Sequence, residues 1–289
     1  MVRLHLPLLA LLPALLAALV LPAQDKPAGE ANTNQAQDRL SEWPKLPTTD
    51  ADRVLGLVGQ FKKPEAKLYE PARQQLTQVG EAAMPLVMQQ CSDRPDNVND
   101  QLFQVLDAVL TERHAALMAR EAQKPRLELR RYLTMRLSRM AGADLVPFFE
   151  KMRKDADEQT AFFADLALLA RKRRDALPGV TAYARKSWTE ALPHLAAVLP
   201  AARSLQCGTW VFESITKAAV VDQMTGLRLL RFLATNEHAG LLRGYFDAPD
   251  NAVKGEACNV ARVLHGEEPI EKMPVFKVIQ EARKWKEKL

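Results

Sequence analysis

The sequence predicts an all-α chain of stacked antiparallel helix pairs, set behind an apolar leader and a polar linker. Three observations predict it. Apolar residues recur at helical spacing along nearly the whole chain after residue 50. No stretch alternates with period two for long enough to make a convincing strand. Short stretches marked by glycine and proline recur at multiples of about 31 residues.

The first element is the leader. "MVRLHLPLLALLPALLAALVLPAQDKP" carries one arginine, an uncharged apolar run from Leu4 to Pro22, and a polar shift at Gln24. A spanning helix needs roughly 20 apolar residues. This run is at the short end, and Pro7 and Pro13 remove helix hydrogen bonds from it. Residues 1–23 are therefore expected to be a signal peptide cleaved after Ala23, making the protein exported, periplasmic or secreted. Leu21 departs from the usual small residue before the cut, and a retained N-terminal membrane tether is the alternative. No cysteine follows the run, so a lipoprotein anchor is not written here. Residues 24–50, rich in Gln, Asn, Ala and Pro, read as a disordered linker that buries too little surface to offset its ordering entropy.

After the linker about 240 residues remain, enough for a sizeable core. Hydrophobic residues at 47% and charged residues at 26% give an ordinary soluble balance, and a net charge of +5 is weak evidence for any polyanion partner. Cys91, Cys207 and Cys258 show neither CxxC pairing nor disulfide-framework spacing. Each falls in or beside a helical pattern, where a free cysteine acts as a small buried hydrophobe. A Cys207–Cys258 bridge is the only pairing that merits checking.

The helical elements are paired by their turns. Gly80 to Gly142 and Pro85 to Pro147 both span 62 residues, and Pro147 to Pro178 spans 31. "RPDNVND" at 94–100 and "APDNAVK" at 248–254 have prolines 154 residues apart, close to five such periods. Aspartate and asparagine cap free backbone N–H groups at helix starts, and proline fits the first helical turn. Each of these turns therefore joins the two helices of a hairpin. In the last clear unit Leu241, Leu242 and Phe246 form one apolar face, and Val253, Ala257, Val260 and Leu264 form the next. "KKPEAKLYEPARQQL" and "KDADEQTAFFADLALLA" occupy the corresponding place in other units. "TWVFESIT" at 209–216 reads as helix too, with Trp210, Ile215 and Ala218–Val221 continuing an apolar face. "KSWTEALPHLAAVLP" at 186–200 fits no register. The final "PVFKVIQEARKWKEKL" is amphipathic, with Val275, Phe276, Ile279, Ala282 and Trp285 on one side, and suits a capping helix over 269–289.

These residues resemble the HEAT-repeat family, its short bacterial members in particular. "GEAAMPL" at 80–86 matches the family's glycine and early proline, and Asp247, Asp250, Val253, Lys254 and Ala257 match its turn. Asn99 stands where the family has a basic residue. The resemblance covers 51–268. It implies a right-handed superhelical α-solenoid and, commonly for the family, protein binding, with no catalytic residues carried over. Physics agrees on stacking, since each helix pair has an apolar face that only its neighbours can cover.

No chemistry is written as a motif. His114, His194, His238 and His265 are isolated, and there is no HExxH, phosphate loop or GxSxG elbow. The expectation is thus no catalytic, cofactor-binding or metal residue, no cofactor, and a non-enzymatic protein. The "DADE" at 155–158 stands at a helix start, where capping and the helix dipole account for it. From Arg120 to Lys186 there are 16 Lys/Arg against 9 Asp/Glu. Arg126, Arg130, Arg131, Arg171, Lys172, Arg173 and Arg174 are the candidate anion-binding residues of that segment. Against this, "RKRR" at 171–174 ends a helix, where cations bond the last carbonyls. Around the core face of Leu129, Leu133, Leu137 and Met140 the arginines form no single stripe.

The leading reading is a scaffold that binds a protein or peptide on its concave surface. The alternative is a binder of lipid headgroups or acidic polysaccharide through 120–186. The leader argues against nucleic acid.

Overall fold

The structure, a computed structural model, describes residues 39–289. The predicted leader and the linker up to residue 38 lie outside the described residues. Among the described residues there are fifteen α-helices and no strand. The first four are α1 (Thr48–Gln60), α2 (Tyr69–Val79), α3 (Met84–Gln89) and α4 (Asn97–Val109). Next come α5 (Ala115–Glu121), α6 (Leu127–Ser138), α7 (Val146–Met152) and α8 (Glu158–Ala170). They are followed by α9 (Leu177–Lys186), α10 (Trp188–Val198), α11 (Leu205–Ile215) and α12 (Val220–Leu233). The last are α13 (Arg243–Phe246), α14 (Asn251–Leu264) and α15 (Val275–Lys288).

The pairing keeps a fixed phase. α3, α5, α7 and α9 begin at residues 84, 115, 146 and 177, in steps of 31. The breaks between an even helix and the next odd one fall at Gly80, Thr111, Gly142, Arg173, Ser204, Thr235 and Gly266, again in steps of 31. Three of these are glycines, and two of them, Gly80 and Gly266, take φ of 77° and 75°, which a residue without Cβ adopts without a clash. Two break by the same Thr–His device. The Thr111 hydroxyl and the His114 ring make a reciprocal capping box, and Thr111 N–H donates to His114 Nδ1 at 3.1 Å. Thr235 and His238 repeat this four periods later, at 3.0 Å. Ser204 accepts from Cys207 N–H.

Within a pair, three of the even helices, α4, α8 and α14, start on an aspartate cap. Asp96, Asp157 and Asp250 accept from the N–H groups of Asn99, Thr160 and Val253. The doubled turn is thus the α3–α4 and the α13–α14 link, with Asp96 and Asp250 as its caps.

Packing follows chain order. α2 lies on α4, α6 on α8 and α12 on α14, while α4 meets α6 through the Phe103–Tyr132 stack at 4.2 Å. One apolar cluster runs from Val54 to Trp285. All three cysteines are free and buried within it. The register changes once, in the stretch that fits no repeat. Ser187 alone joins α9 to α10, and α9 packs against both α8 and α12. The period survives because α9 has 10 residues where α5 and α7 have 7, which makes up for the missing link.

Four expectations are corrected. The linker expected over 24–50 is packed from residue 39 on, and α1 starts at Thr48. Trp43 stacks on His114 at 5.7 Å, Leu40 N–H donates to Arg113 O at 3.0 Å and Arg39 to Gly142 O at 2.7 Å. One large aromatic supplies the apolar surface that the polar composition hid. In α15 the buried stripe is Val278, Ala282 and Trp285, an i, i+4, i+7 set, while Val275, Phe276 and Ile279 are exposed. Leu241 is exposed beside buried Leu242 and Phe246. The apolar face expected to run from Trp210 to Val221 stops at Ile215, where α11 ends, and Val220 and Val221 open α12 in solvent.

Candidate binding groove

Depressions lie along the even helices, α9 and the end of α11. Between α2 and α4 is one of about 450 Å³, polar, with Arg73, Gln78 and Gln104 among its walls. The next, about 200 Å³, is framed by α4, α6, α8 and α10 and lined by Phe103, Tyr132, Met135, Phe163 and His194. The third, about 260 Å³, runs between α8 and α9. The fourth, about 310 Å³, lies between α9, α11 and α12 and is bordered by the Arg185–Asp222 pair at 3.0 Å. Successive depressions share a helix.

Aromatic rings floor the middle of this row. Tyr132 lies on Phe103 with its hydroxyl donating to Asp107 Oδ1 at 2.7 Å, and burial together with the Asp107 charge pushes the phenol up. Phe162 and Tyr183 stack at 4.2 Å, and Phe163 meets His194 edge-on at 4.8 Å. Burial and then the neighbouring Arg139 lower the pKa of His194, which keeps this ring neutral at pH 7. Such rings offer flat apolar faces at low entropic cost, as binding surfaces do.

The α8–α9 depression holds an unusual group. Glu158, Ala161, Phe162 and Asp165 form one stripe of α8, and Gly179, Ala182, Tyr183 and Lys186 form the facing stripe of α9. Asp165 is 7% exposed in a helix that is otherwise apolar over its last two turns. Arg153 Nη2 stands 2.9 Å from Oδ1, off the direction of a good hydrogen bond, so the contact is one of charge. Oδ2 lies against the Cα of Gly179, where any Cβ would collide with the carboxylate. Burial raises the Asp165 carboxyl to about 6 against the opposing pull of Arg153, with Asp175 and Glu150 adding repulsion. Asp157 contrasts with it. Burial would raise that carboxyl too, but hydrogen bonds from Arg131 and Thr160 outweigh it and hold the group at about 2.

The candidate anion-binding residues do not form a free cationic track. Arg126 donates to Met88 O at 2.8 Å, Arg130 pairs with Asp155 at 3.0 Å, and Arg131 holds Asp157 and Glu128. Arg171 lies over the Phe149 ring and donates to the carbonyls of Ala167, Met140 and Ala143. Arg173 pairs with Glu150 and Asp175, and Arg174 with Glu213. Only Lys172, at φ 60°, has no acidic or carbonyl partner for its side chain among the described residues. Each guanidinium fixes one helix to another, which is why the charge excess in the sequence does not become a patch.

The histidines are likewise dispersed. His114 and His238 are caps, His194 lies in the groove, and His265 ends α14 stacked on Trp285 at 4.9 Å. Among the described residues no three His, Cys, Asp or Glu side chains converge as metal ligands. No helix among them is long and apolar enough to cross a membrane. Sequence reading missed Asp165 and Gly179. The signal for them was an aspartate inside "FFADLALLA" and a glycine directly after Pro178 in the first turn of the next helix.

No family model matches the chain, and no curated protein matches it. Among solved structures it is similar to human deoxyhypusine hydroxylase in complex with glycerol, at 13% identity and a TM-score of 0.33, over 83% of this chain and 98% of that one. That protein is by name a hydroxylase. The expectation of a non-enzymatic chain is corrected and dropped, since an all-helical stack of pairs does not separate a binding protein from an enzyme.

Proposed function

We propose that this chain is a HEAT-like repeat protein, coiled as a right-handed solenoid, that holds another protein or a peptide along the row of even helices. The carrying observation is that row of depressions, floored by the Phe103–Tyr132 and Phe162–Tyr183 stacks and rimmed by paired charges. Surfaces of this make suit an extended chain, with aromatic anchors in apolar hollows and polar groups at the edge. The work site is proposed to lie outside the cytoplasm, on the strength of the leader at 1–23.

The anionic-surface reading is not taken forward, because the arginines it needed already have partners within the fold. Affinity capture from a cell-envelope extract at low and high salt tests the proposal. A partner retained at high salt by the native chain and lost from Gln104→Trp and Thr181→Trp is the expected result. Equal retention by both variants, or material that washes off as salt rises, would count against it, since screening acts over about 8 Å at physiological ionic strength.

A further inference from the structure

We propose that the depression between α8 and α9 is a binding site for a protonated primary amine on an alkyl stem, seated with its ammonium against Asp165 Oδ2. Four features lead there.

The carboxylate is already in place and only half used. Asp165 is 7% exposed, lines the depression, and has one oxygen engaged, by Arg153 at 2.9 Å. Oδ1 meets only Arg153, without a directed hydrogen bond, and Oδ2, on the side of the depression, has no protein donor among the described residues. A buried carboxylate left in that condition costs stability and calls for an explanation. A cation arriving from the depression supplies the missing donor.

The space in front of it is shaped for a stem. The Asp165 carboxylate fills the place that a Gly179 side chain would take, which fixes it at the wall, and Ala161 and Ala182, small on the facing stripes, leave the depression open in front of it. The Phe162–Tyr183 stack gives the stem an apolar wall. Glu158 and Lys186, paired with each other, close the far end about seven residues away, or about 10 Å along the helices. Lys186 is thus held away from Asp165 by its own partner.

The local charge has the right sign. Asp165, Glu150 and Asp175 face Arg153 and Arg173, so three carboxylates share two guanidiniums. In the depression itself Glu158 offsets Lys186. One negative charge is left over, and it belongs to the group with the free oxygen.

The number of free oxygens selects the cation. Guanidinium binds carboxylate best as a fork onto two oxygens, and here Arg153 occupies one of them. An ammonium is a point donor and needs a single oxygen. The same chemistry is offered by a lysine side chain of a bound protein and by a free alkylamine. The amine site does not rest on the groove reading, because a free amine needs no protein partner.

The test is alanine-methyl and amide NMR on the full chain, titrated at pH 7.5 with n-butylammonium and with a blocked alanine pentapeptide carrying a central lysine. Saturable shifts at Ala161, Ala182 and Gly179 are expected, with affinity about tenfold weaker in Asp165→Asn through loss of one charge-assisted contact. Ala182→Leu fills the groove at an exposed position, so it should abolish the shifts while leaving the melting temperature unchanged. Titration at pH 5 should weaken binding, because Asp165 is then largely protonated among Arg153, Glu150, Asp175, Glu158, Lys186 and Tyr183. Binding of both probes assigns the site to lysine side chains, and binding of butylammonium alone assigns it to free alkylamines. No saturable shift from butylammonium in the folded native chain overturns the proposal, and so does equal affinity in Asp165→Asn.

Discussion

Asp165 gives the chain a dependence on pH opposite to that of Glu81, Asp96, Asp157 and Glu281, which their partners hold below the ordinary value. Its folded pKa of about 6 lies above the roughly 3.9 of an unfolded aspartate. Between those values the folded chain binds the additional proton, so this group makes stability rise as pH falls from about 6 to about 4. Asp157, held at about 2, acts the other way. Its contribution is complete above the unfolded value of about 3.9 and is lost only as pH falls toward 2. A melting series from pH 4 to 6.5 therefore isolates Asp165 by difference. Asp165→Asn should flatten the rise toward acid, and a curve parallel to the native one would contradict the assignment. Residues of this kind are hard to read in a sequence. Asp165 and Gly179 are 14 positions apart on different helices, and only the antiparallel pairing of α8 and α9 brings them together.

At the scale of the element, the helix ends carry the repeat. Asp250 supplies one side-chain acceptor to two N–H groups at the start of α14, at 2.7 and 3.1 Å. Asp250→Ala should cost about 1 kcal/mol, as cap removals typically do. His238 does more than cap. It is fully buried, stacks on Phe212 at 5.6 Å, reaches the Leu205 carbonyl at 3.1 Å, and fits only because Gly208 has no side chain. His238→Ala should cost roughly 2–4 kcal/mol, because it opens a cavity and leaves the Thr235 N–H unpaired, while the Leu205 carbonyl keeps the Thr209 hydroxyl as a donor. Denaturant melts of the two variants check the order, and an Asp250→Ala loss equal to or larger than the His238→Ala loss would contradict it. Most of these ends were legible. Proline in the second position of α3, α7 and α9 and aspartate before α4, α8 and α14 gave the phase directly. The Thr–His breaks were not, since isolated histidines at 114 and 238 show their common role only once each ring is seen on the N–H of the threonine three residues before it. The α9–α10 junction was illegible for a different reason: one serine replaces the whole turn that marks other pairs.

At the scale of the molecule, the units stand or fall with their neighbours. Ala257 is fully buried in α14. Ala257→Glu places an unpaired charge inside that packing, a penalty several times the cost of a cap. The last units, α13 to α15, should then unfold, seen as a partial loss of helical signal at 25 °C and a lower melting temperature. An unchanged melt would mean this face is not where the units join. The all-helical stack itself was readable because apolar periodicity and turn spacing both survive poor sequence identity. The row of depressions was not, because its walls come from one stripe of each successive helix, and small, aromatic and charged residues mix there without a common pattern. The arginine cluster drew the eye instead, and it is consumed in joining helices.

Site-specific photocrosslinking tests the row most directly. A benzoylphenylalanine is placed singly at Gln104 or Thr181 on the proposed face, and at Lys151 or Lys217 as positions outside it, in cells expressing the full chain. The account predicts protein adducts from Gln104 and Thr181 and none from Lys151 or Lys217. Adducts confined to Lys151 and Lys217, or none from any of the four, would contradict it.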